Sequence, residues 1–261
     1  MASATITRRG ALQFGLAGMA ALGASTAIPR AARAQPMQGD SYEAEGGAIV
    51  ISPVGHASFV MEAPGMVIYN DPVGGAAAFE GRPPADLVLV SHEHGDHFDL
   101  PTLTAVAGGG ARLVVNPAVF DKLPAELKAR ATSLGNGEET TVDALRIEAV
   151  PAYNTTQDRL QFHPKGRDNG YVLSVAGRRV YIAGDTEDIP EMRALTGIDI
   201  AFLPMNLPYT MDADQAAAAV AAFKPAVVYP YHYRGSDPEA FAAKVAASGA
   251  GTQVVIGRWY G

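Results

Sequence analysis

Short apolar runs alternate along this chain with turn-forming residues, and they do so twice in the same order. Near the start, Ala48–Val54, Ala57–Glu62 and Met66–Asp71 read as successive strands with turns at Gly55 and Gly65. Asp86-Leu87-Val88-Leu89-Val90-Ser91 is short, β-branched and free of charge from Leu87 to Val90, the pattern of a buried strand. The spacing then predicts a short helix over 101–107, a strand over 113–116 and helix over 117–131. A second block opens with strands over 140–142, 145–150, 170–175 and 179–183, with Ala176-Gly177 as a hairpin turn. It closes with a strand over 198–204, a helix over 212–223, a strand over 226–230, a helix over 238–247 and a last strand over 252–256. Acids at the start of the 212–223 segment and Lys224-Pro225 at its end mark the helix boundaries. Residues 35–46 are small and polar and are expected to form a loose leader. Two half-chains that each begin in hairpins and end in strand–helix units predict two packed sheets with helices outside.

The first residues follow a different rule. Thr7-Arg8-Arg9-Gly10 precedes a charge-free stretch from Ala11 to Pro29, and Ala32-Arg33-Ala34 follows it. A basic start, an apolar middle and a small-x-small exit are the marks of a secretory signal, and the paired arginines mark the twin-arginine type. Residues 1–34 are therefore expected to be removed, leaving 35–261 as a single domain exported to the periplasm or secreted. The glycines at 10, 15, 18 and 23 make the stretch a poor membrane span, so no stable insertion is expected after cleavage. The signal carries four arginines and no acid, so its removal takes the net charge from −7 to −11. Such a surface repels phosphate backbones and argues against nucleic acid as a partner.

With no cysteine in the chain, any metal ligand has to be His, Asp, Glu or water. His92-Glu93-His94-Gly95-Asp96-His97 follows the buried strand directly. His92 and His94, two residues apart at the strand end, can point the same way, with Asp96 and His97 just beyond. Imidazole nitrogen and carboxylate oxygen are the donors that zinc and related divalent ions take at catalytic sites. Asp185, in Gly184-Asp185-Thr186, and His232 each end a later strand and are candidates to join them.

This constellation resembles the metallo-β-lactamase superfamily: His92, His94, Asp96 and His97 match its H-x-H-x-D-H motif, and Asp185 and His232 match its later ligands. The resemblance runs from about Val50 to Gly257. Gly55-His56-Ala57-Ser58 and Asn70-Asp71-Pro72 look most like the branch that holds ascorbate-6-phosphate lactonases and N-acylphosphatidylethanolamine phospholipase D-type enzymes. It implies an α/β (α+β) fold, a four-layer αβ/βα sandwich, and a pair of divalent ions, zinc first, with manganese or iron as alternatives. One ion would take His92, His94 and a third His; the other would take Asp96, His97 and His232, with Asp185 and a hydroxide bridging. The implied activity is hydrolysis of an ester-like bond, lactone or phosphodiester, in a small-molecule substrate. Asp96, Asp185 and His56 are the candidate catalytic groups. A β-lactam hydrolase and a non-catalytic periplasmic metal-binding or sensing protein are the other readings.

The chain departs from the family at the third histidine. Many relatives carry a His where this chain reads Pro151-Ala152-Tyr153-Asn154, and the next His downstream is His163. His163 is expected to reach back and complete the first set, with Asn154 or water as the other option. Loops at 72–85, 153–169 and 205–211 are expected to form the pocket walls, offering Phe79, Arg82, Arg159, Arg167, Met205 and Tyr209.

Overall fold

Hairpins give way to parallel strand–helix units twice along the chain. The computed structural model describes residues 39–260, which belong to one compact unit; the expected signal over 1–34 lies outside the described residues. The first series comprises β1 (Asp40–Ala44), β2 (Gly47–Gly55), β3 (Ser58–Ala63), β4 (Met66–Asn70), β5 (Leu87–Val90), α1 (Leu100–Val106), β6 (Arg112–Val115), α2 (Pro117–Lys122), α3 (Ala125–Lys128) and β7 (Ala131–Ser133). The second comprises β8 (Glu139–Val142), β9 (Leu145–Ala152), β10 (Asp168–Val175), β11 (Arg178–Ile182), α4 (Pro190–Arg193), β12 (Ile200–Pro204), α5 (Ala213–Phe223), β13 (Val227–Tyr231), α6 (Pro238–Ala247) and β14 (Gln253–Val254). Each series makes one seven-stranded sheet in which chain neighbours are also sheet neighbours. Strands β1–β4 and β8–β11 pair antiparallel; from β4 and from β11 onward the pairing is parallel.

Strand periodicity assigns side chains to layers. Leu87 and Leu89 of β5 enter the core between the sheets, while Val88 and Val90 enter the core under α1–α3. In β12, Ile200 and Phe202 face the inter-sheet core, whereas Ala201 and Leu203 pack with α4–α6. Both faces of these parallel strands are covered, so they read as continuous apolar runs. The result is the four-layer α/β sandwich expected from the sequence.

Helix boundaries follow from capping. Asp212 and Gln215 form a reciprocal capping box at the start of α5, and Lys224 ends that helix in the left-handed conformation at φ 48°. Asn116 accepts from the Val119 amide at the start of α2.

Two expectations are corrected. Residues 40–44 of the expected loose leader form edge strand β1, because Tyr42 and Ala44 share a face that packs on the inter-sheet core. The Tyr229 hydroxyl donates to Asp40 at 2.9 Å, adding a polar anchor. The expected helix over 117–131 divides into α2 and α3 and ends in strand β7. Leu123 is forced extended (ψ 142°) by the following Pro124, which disfavours the helical region for the residue before it.

The sheets are tied together at the ends where the candidate ligands lie. The Asn169 amide donates to the Ser91 carbonyl at 3.1 Å, and the Tyr171 hydroxyl donates to Val90 at 2.8 Å. Gly184 sits at φ 64°, and a Cβ there would fall 2.5 Å from the Asn169 carbonyl oxygen. Only glycine lets the chain turn this close to the neighbouring strand.

Phe202 lies at the middle of the inter-sheet core, stacked on Phe59 at 4.3 Å and on Tyr229 at 5.1 Å between ring centroids. Phe202→Ala should lower the unfolding free energy by about 3–5 kcal/mol, the range for truncating a buried aromatic. Urea unfolding checks this; a loss under about 1 kcal/mol would mean that the two sheets do not share this core.

Candidate metal centre

All six histidines of the chain converge at one end of the sandwich. The turn after β5 brings His92, His94, Asp96 and His97; β11 ends before Asp185, and β13 ends before His232. His163 arrives on the loop between β9 and β10, and His56 on the turn between β2 and β3. Three groups of ligand atoms lie within 4.8 Å of one another: His92/His94/His163, His56/Asp96/His97/His232 and His92/His97/Asp185. Every residue singled out from the sequence as a ligand is in one of them.

Asp185 is the buried carboxylate between the groups. Its Oδ2 lies 3.4 Å from Nε2 of His163, 3.3 Å from Nε2 of His232 and 3.9 Å from Nε2 of His92; its Oδ1 lies 3.3 Å from Nε2 of His97. Oδ1 of Asp185 and Nε2 of both His92 and His97 are nevertheless buried without a hydrogen-bond partner.

The opposite ring nitrogens are committed. Nδ1 of His97 donates to Asp71 Oδ2 at 2.8 Å, and Nδ1 of His163 donates to Asp168 Oδ2 at 2.9 Å. Nδ1 of His92 meets the Ser91 hydroxyl at 3.0 Å. A carboxylate on one nitrogen fixes the tautomer and leaves the other nitrogen's lone pair facing inward, the arrangement of histidines that hold metal. Asp71 is itself held by the Ser91 amide at 2.7 Å and by the Ser91 hydroxyl.

His56 donates from Nε2 to Asp96 at 3.1 Å and accepts at Nδ1 from the Tyr260 hydroxyl at 2.7 Å. His56 and His232 have φ of 53° and 47°, and the His232 amide donates to the His56 carbonyl at 3.0 Å. Left-handed backbone at a bulky residue persists where surrounding contacts over-determine it.

The loop that carries His163 is braced by Glu187, which is fully buried. Its Oε2 accepts from the amides of Thr155 and Thr156 at 2.6 and 2.7 Å, and Oε1 accepts from Arg159 at 3.1 Å. Asn154 ties that loop to the next one, its amide group donating to the carbonyls of Arg159 and Tyr209 at 3.1 and 2.9 Å.

Of the six expected wall residues, Tyr209 lines the cavity at the cluster. Phe79 and Met205 are instead buried in the two helix-side cores, and Arg82 donates to Pro53. Arg159 is bound to Glu187, and Arg167 grips Asp168 beside His94. Sequence reading did not single out Asp168, Glu187 or Tyr260 as supports. Asp168 and Glu187 stand beside residues that were named, but nothing in their spacing shows which side chain they reach.

Burial raises the Asp185 carboxyl, but the charges of His232, His97 and His163 outweigh it and hold the group well below the usual carboxylate range. Asp96 is likewise held low against burial, by the hydrogen bonds of His232 and His56. Burial pushes His92 well down, and His97 and His163 beside it add to the shift. His97 moves the other way: burial lowers it, yet Asp185 and Asp71 raise it well above an ordinary imidazole.

Residues 50–232 match the family described as the β-lactamase superfamily domain. A UPF0173 metal-dependent hydrolase of Thermococcus kodakarensis is 33% identical over 200 residues, 72% of this chain and 88% of its own. Among solved structures, the "Putative metal-dependent hydrolase" of Parabacteroides distasonis superposes with a TM-score of 0.78 at 40% identity, covering 85% of this chain and 99% of that one. Igni18, a metallo hydrolase of Ignicoccus hospitalis, gives 0.67 at 27% identity, covering 80% and 94%. The chain therefore belongs to the β-lactamase superfamily, as a metal-dependent hydrolase of the metallo-β-lactamase fold.

Metal and protons compete for the same imidazole nitrogens, and the raised His97 holds its proton more tightly than a free imidazole. Metal affinity should begin to fall already above the ordinary imidazole range, where His97 takes up its proton, and keep falling as pH drops, while the depressed carboxylates stay ionised. Titration with a metallochromic competitor checks this. Affinity that holds to pH ~5 and is lost only below ~4 would assign the dependence to carboxylates instead.

Proposed function

We propose that this protein hydrolyses an ester-like bond, a lactone or a phosphodiester, using two divalent cations. The observation that carries the reading is the set of buried, unpartnered atoms facing one another: Nε2 of His92, Nε2 of His97 and Oδ1 of Asp185. Each such atom costs on the order of 1–3 kcal/mol if nothing meets it, and a cation is what an imidazole lone pair and a carboxylate oxygen can share.

His92, His94 and His163 would hold one cation, and Asp96, His97 and His232 the other, with Asp185 reaching both. Zinc matches this nitrogen-and-oxygen set, and manganese or iron is also compatible with it. Bound there, the cations supply Lewis acidity and a water that ionises near pH ~7. The chain's own groups then orient the reactants. Asp185, held ionised, would face both sets and accept a hydrogen bond from a water between them. Asp96 lines the cavity with its side chain half exposed, where its carboxylate, held ionised, would help hold a cation and orient a water by accepting a hydrogen bond. His56 keeps this carboxylate in position through its Nε2–H. The cavity, about 380 Å³ and bounded also by Phe162 and Tyr209, is of a size that takes a small molecule.

The two-cation reading is tested by metal analysis of paired variants together with turnover on lactones and phosphodiesters. His163→Ala should lose about half the bound metal and nearly all activity, because one cation is left with two protein nitrogens. Asn154→Ala should loosen the loops that its NH2 bridges yet keep its metal, since His163 completes the group with His92 and His94. Full metal content in His163→Ala would overturn the assignment.

We also propose export by the twin-arginine route, supported by Arg8-Arg9 ahead of the charge-free stretch. A double substitution, Arg8→Lys with Arg9→Lys, should hold the precursor in the cytoplasm on cell fractionation. Unchanged export would mean a different route.

A further inference from the structure

We propose that the site selects a neutral carbonyl substrate bearing an aryl or similarly bulky apolar group, seated on the wall made by Phe162 and Tyr209. The inference rests on the hydrolytic reading above and narrows its substrate class away from anionic esters.

Two features of the cavity carry it. The first is the distribution of apolar surface. The rings of Phe162 and Tyr209 meet edge to face at 4.9 Å and line the same cavity as His94, His163 and Asp185. Among the described residues four large apolar side chains are exposed, and three stand on the two loops that supply this wall: Leu160 at 39%, Leu207 at 44% and Tyr209 at 44%. Exposed apolar groups scattered singly need no explanation, but an aromatic pair lining a cavity beside a reactive centre offers a surface that an apolar group can cover. The loops are not free to fold this surface away, because Asn154 ties one to the other and Glu187 anchors the first.

The second feature is the charge of the cavity lining. No lysine or arginine among the described residues lines the cavity. Arg167 is the nearest candidate, with one terminal nitrogen 3.3 Å from His94 Nε2. Two of its three nitrogens are engaged: Nε and one terminal nitrogen donate to the two oxygens of Asp168 at 2.7 and 2.8 Å, and the same terminal nitrogen also donates to the Phe162 carbonyl at 2.9 Å. Arg159 is turned onto buried Glu187. A charged group remote from the scissile bond would find no lysine or arginine on the cavity lining to pair with. An uncharged ring or short alkyl group gains the aromatic wall without that cost.

The test uses the metal-loaded protein, with loading verified by metal analysis, and reads binding rather than turnover. Acetohydroxamate, benzohydroxamate and 4-carboxybenzohydroxamate share one metal-binding head and differ only in the group presented to the wall. Benzohydroxamate should bind at least about ten-fold tighter than acetohydroxamate, the scale of burying one ring against aromatic partners, and the added carboxylate should weaken binding. Tyr209→Ala should reduce the ring's advantage to about three-fold or less, and Tyr209→Phe should retain it, because the ring and not the hydroxyl makes the wall. Equal binding of the acetyl and benzoyl compounds overturns the proposal, as does tightest binding of the carboxylated one. An advantage unchanged in Tyr209→Ala, or no binding of benzohydroxamate to loaded protein, overturns it equally. If no ester or lactone is turned over while these binding differences appear, the hydrolytic reading fails and the apolar subsite stands.

Discussion

A carboxylate removed from water costs several kcal/mol unless positive charge or hydrogen-bond donors meet it, and Asp185 is buried at the junction of the two sheets. Four imidazoles approach it, from His92, His97, His163 and His232, each placed by a different stretch of chain or a different turn of the same one. Much of the local architecture serves that meeting. Gly184 allows the turn before Asp185, Asn169 and Ser91 join the sheets beside it, and His232 accepts left-handed backbone to face it. Depressed Asp185 and raised His97 are two sides of one attraction, which a cation entering the site would replace.

The sandwich makes this arrangement stiff. Strands such as β5 and β12 are buried on both faces, so their ends have little freedom to shift without disturbing two cores at once. A set of carboxylates then orients what the strands deliver. Asp71 turns His97 and Asp168 turns His163, while Glu187 holds the loop that carries His163. Each acts through a hydrogen bond to a group that points at the centre, so the site's geometry depends on residues that do not reach the cavity themselves.

Most of the metal-binding side chains follow strand ends, whereas His163, Phe162 and Tyr209 come from loops. Ligand positions need sub-ångström constancy, which rigid elements supply, whereas loops can carry different walls on the same frame. Solved relatives at 40% and 27% identity keep the fold, and family membership says little about which group meets Phe162 and Tyr209.

Much of the frame was legible from residue order alone. The apolar run of β3 between the turns at Gly55 and Gly65, the unbroken run of β5, the acids at the start of α5 and the hairpin at Ala176-Gly177 are encoded by neighbours a few residues apart. The H-x-H-x-D-H segment was legible for the same reason, since its chemistry is concentrated within six residues. What failed locally was informative: β1 forms because Tyr42 finds the core and Tyr229, 187 residues away in sequence, and no polar leader announces that. The pairing of Asp71 with His97, of Asp168 with His163 and of Glu187 with the 155–159 loop was equally invisible, as was the engagement of Arg167 with Asp168. A sequence determines which segments become strands and which residues have metal-binding chemistry, because both depend on short-range pattern and residue type. Which carboxylate reaches which imidazole, and which arginine is left free, was decided only when the two sheets closed on each other, because those contacts exist only between segments that packing brings together.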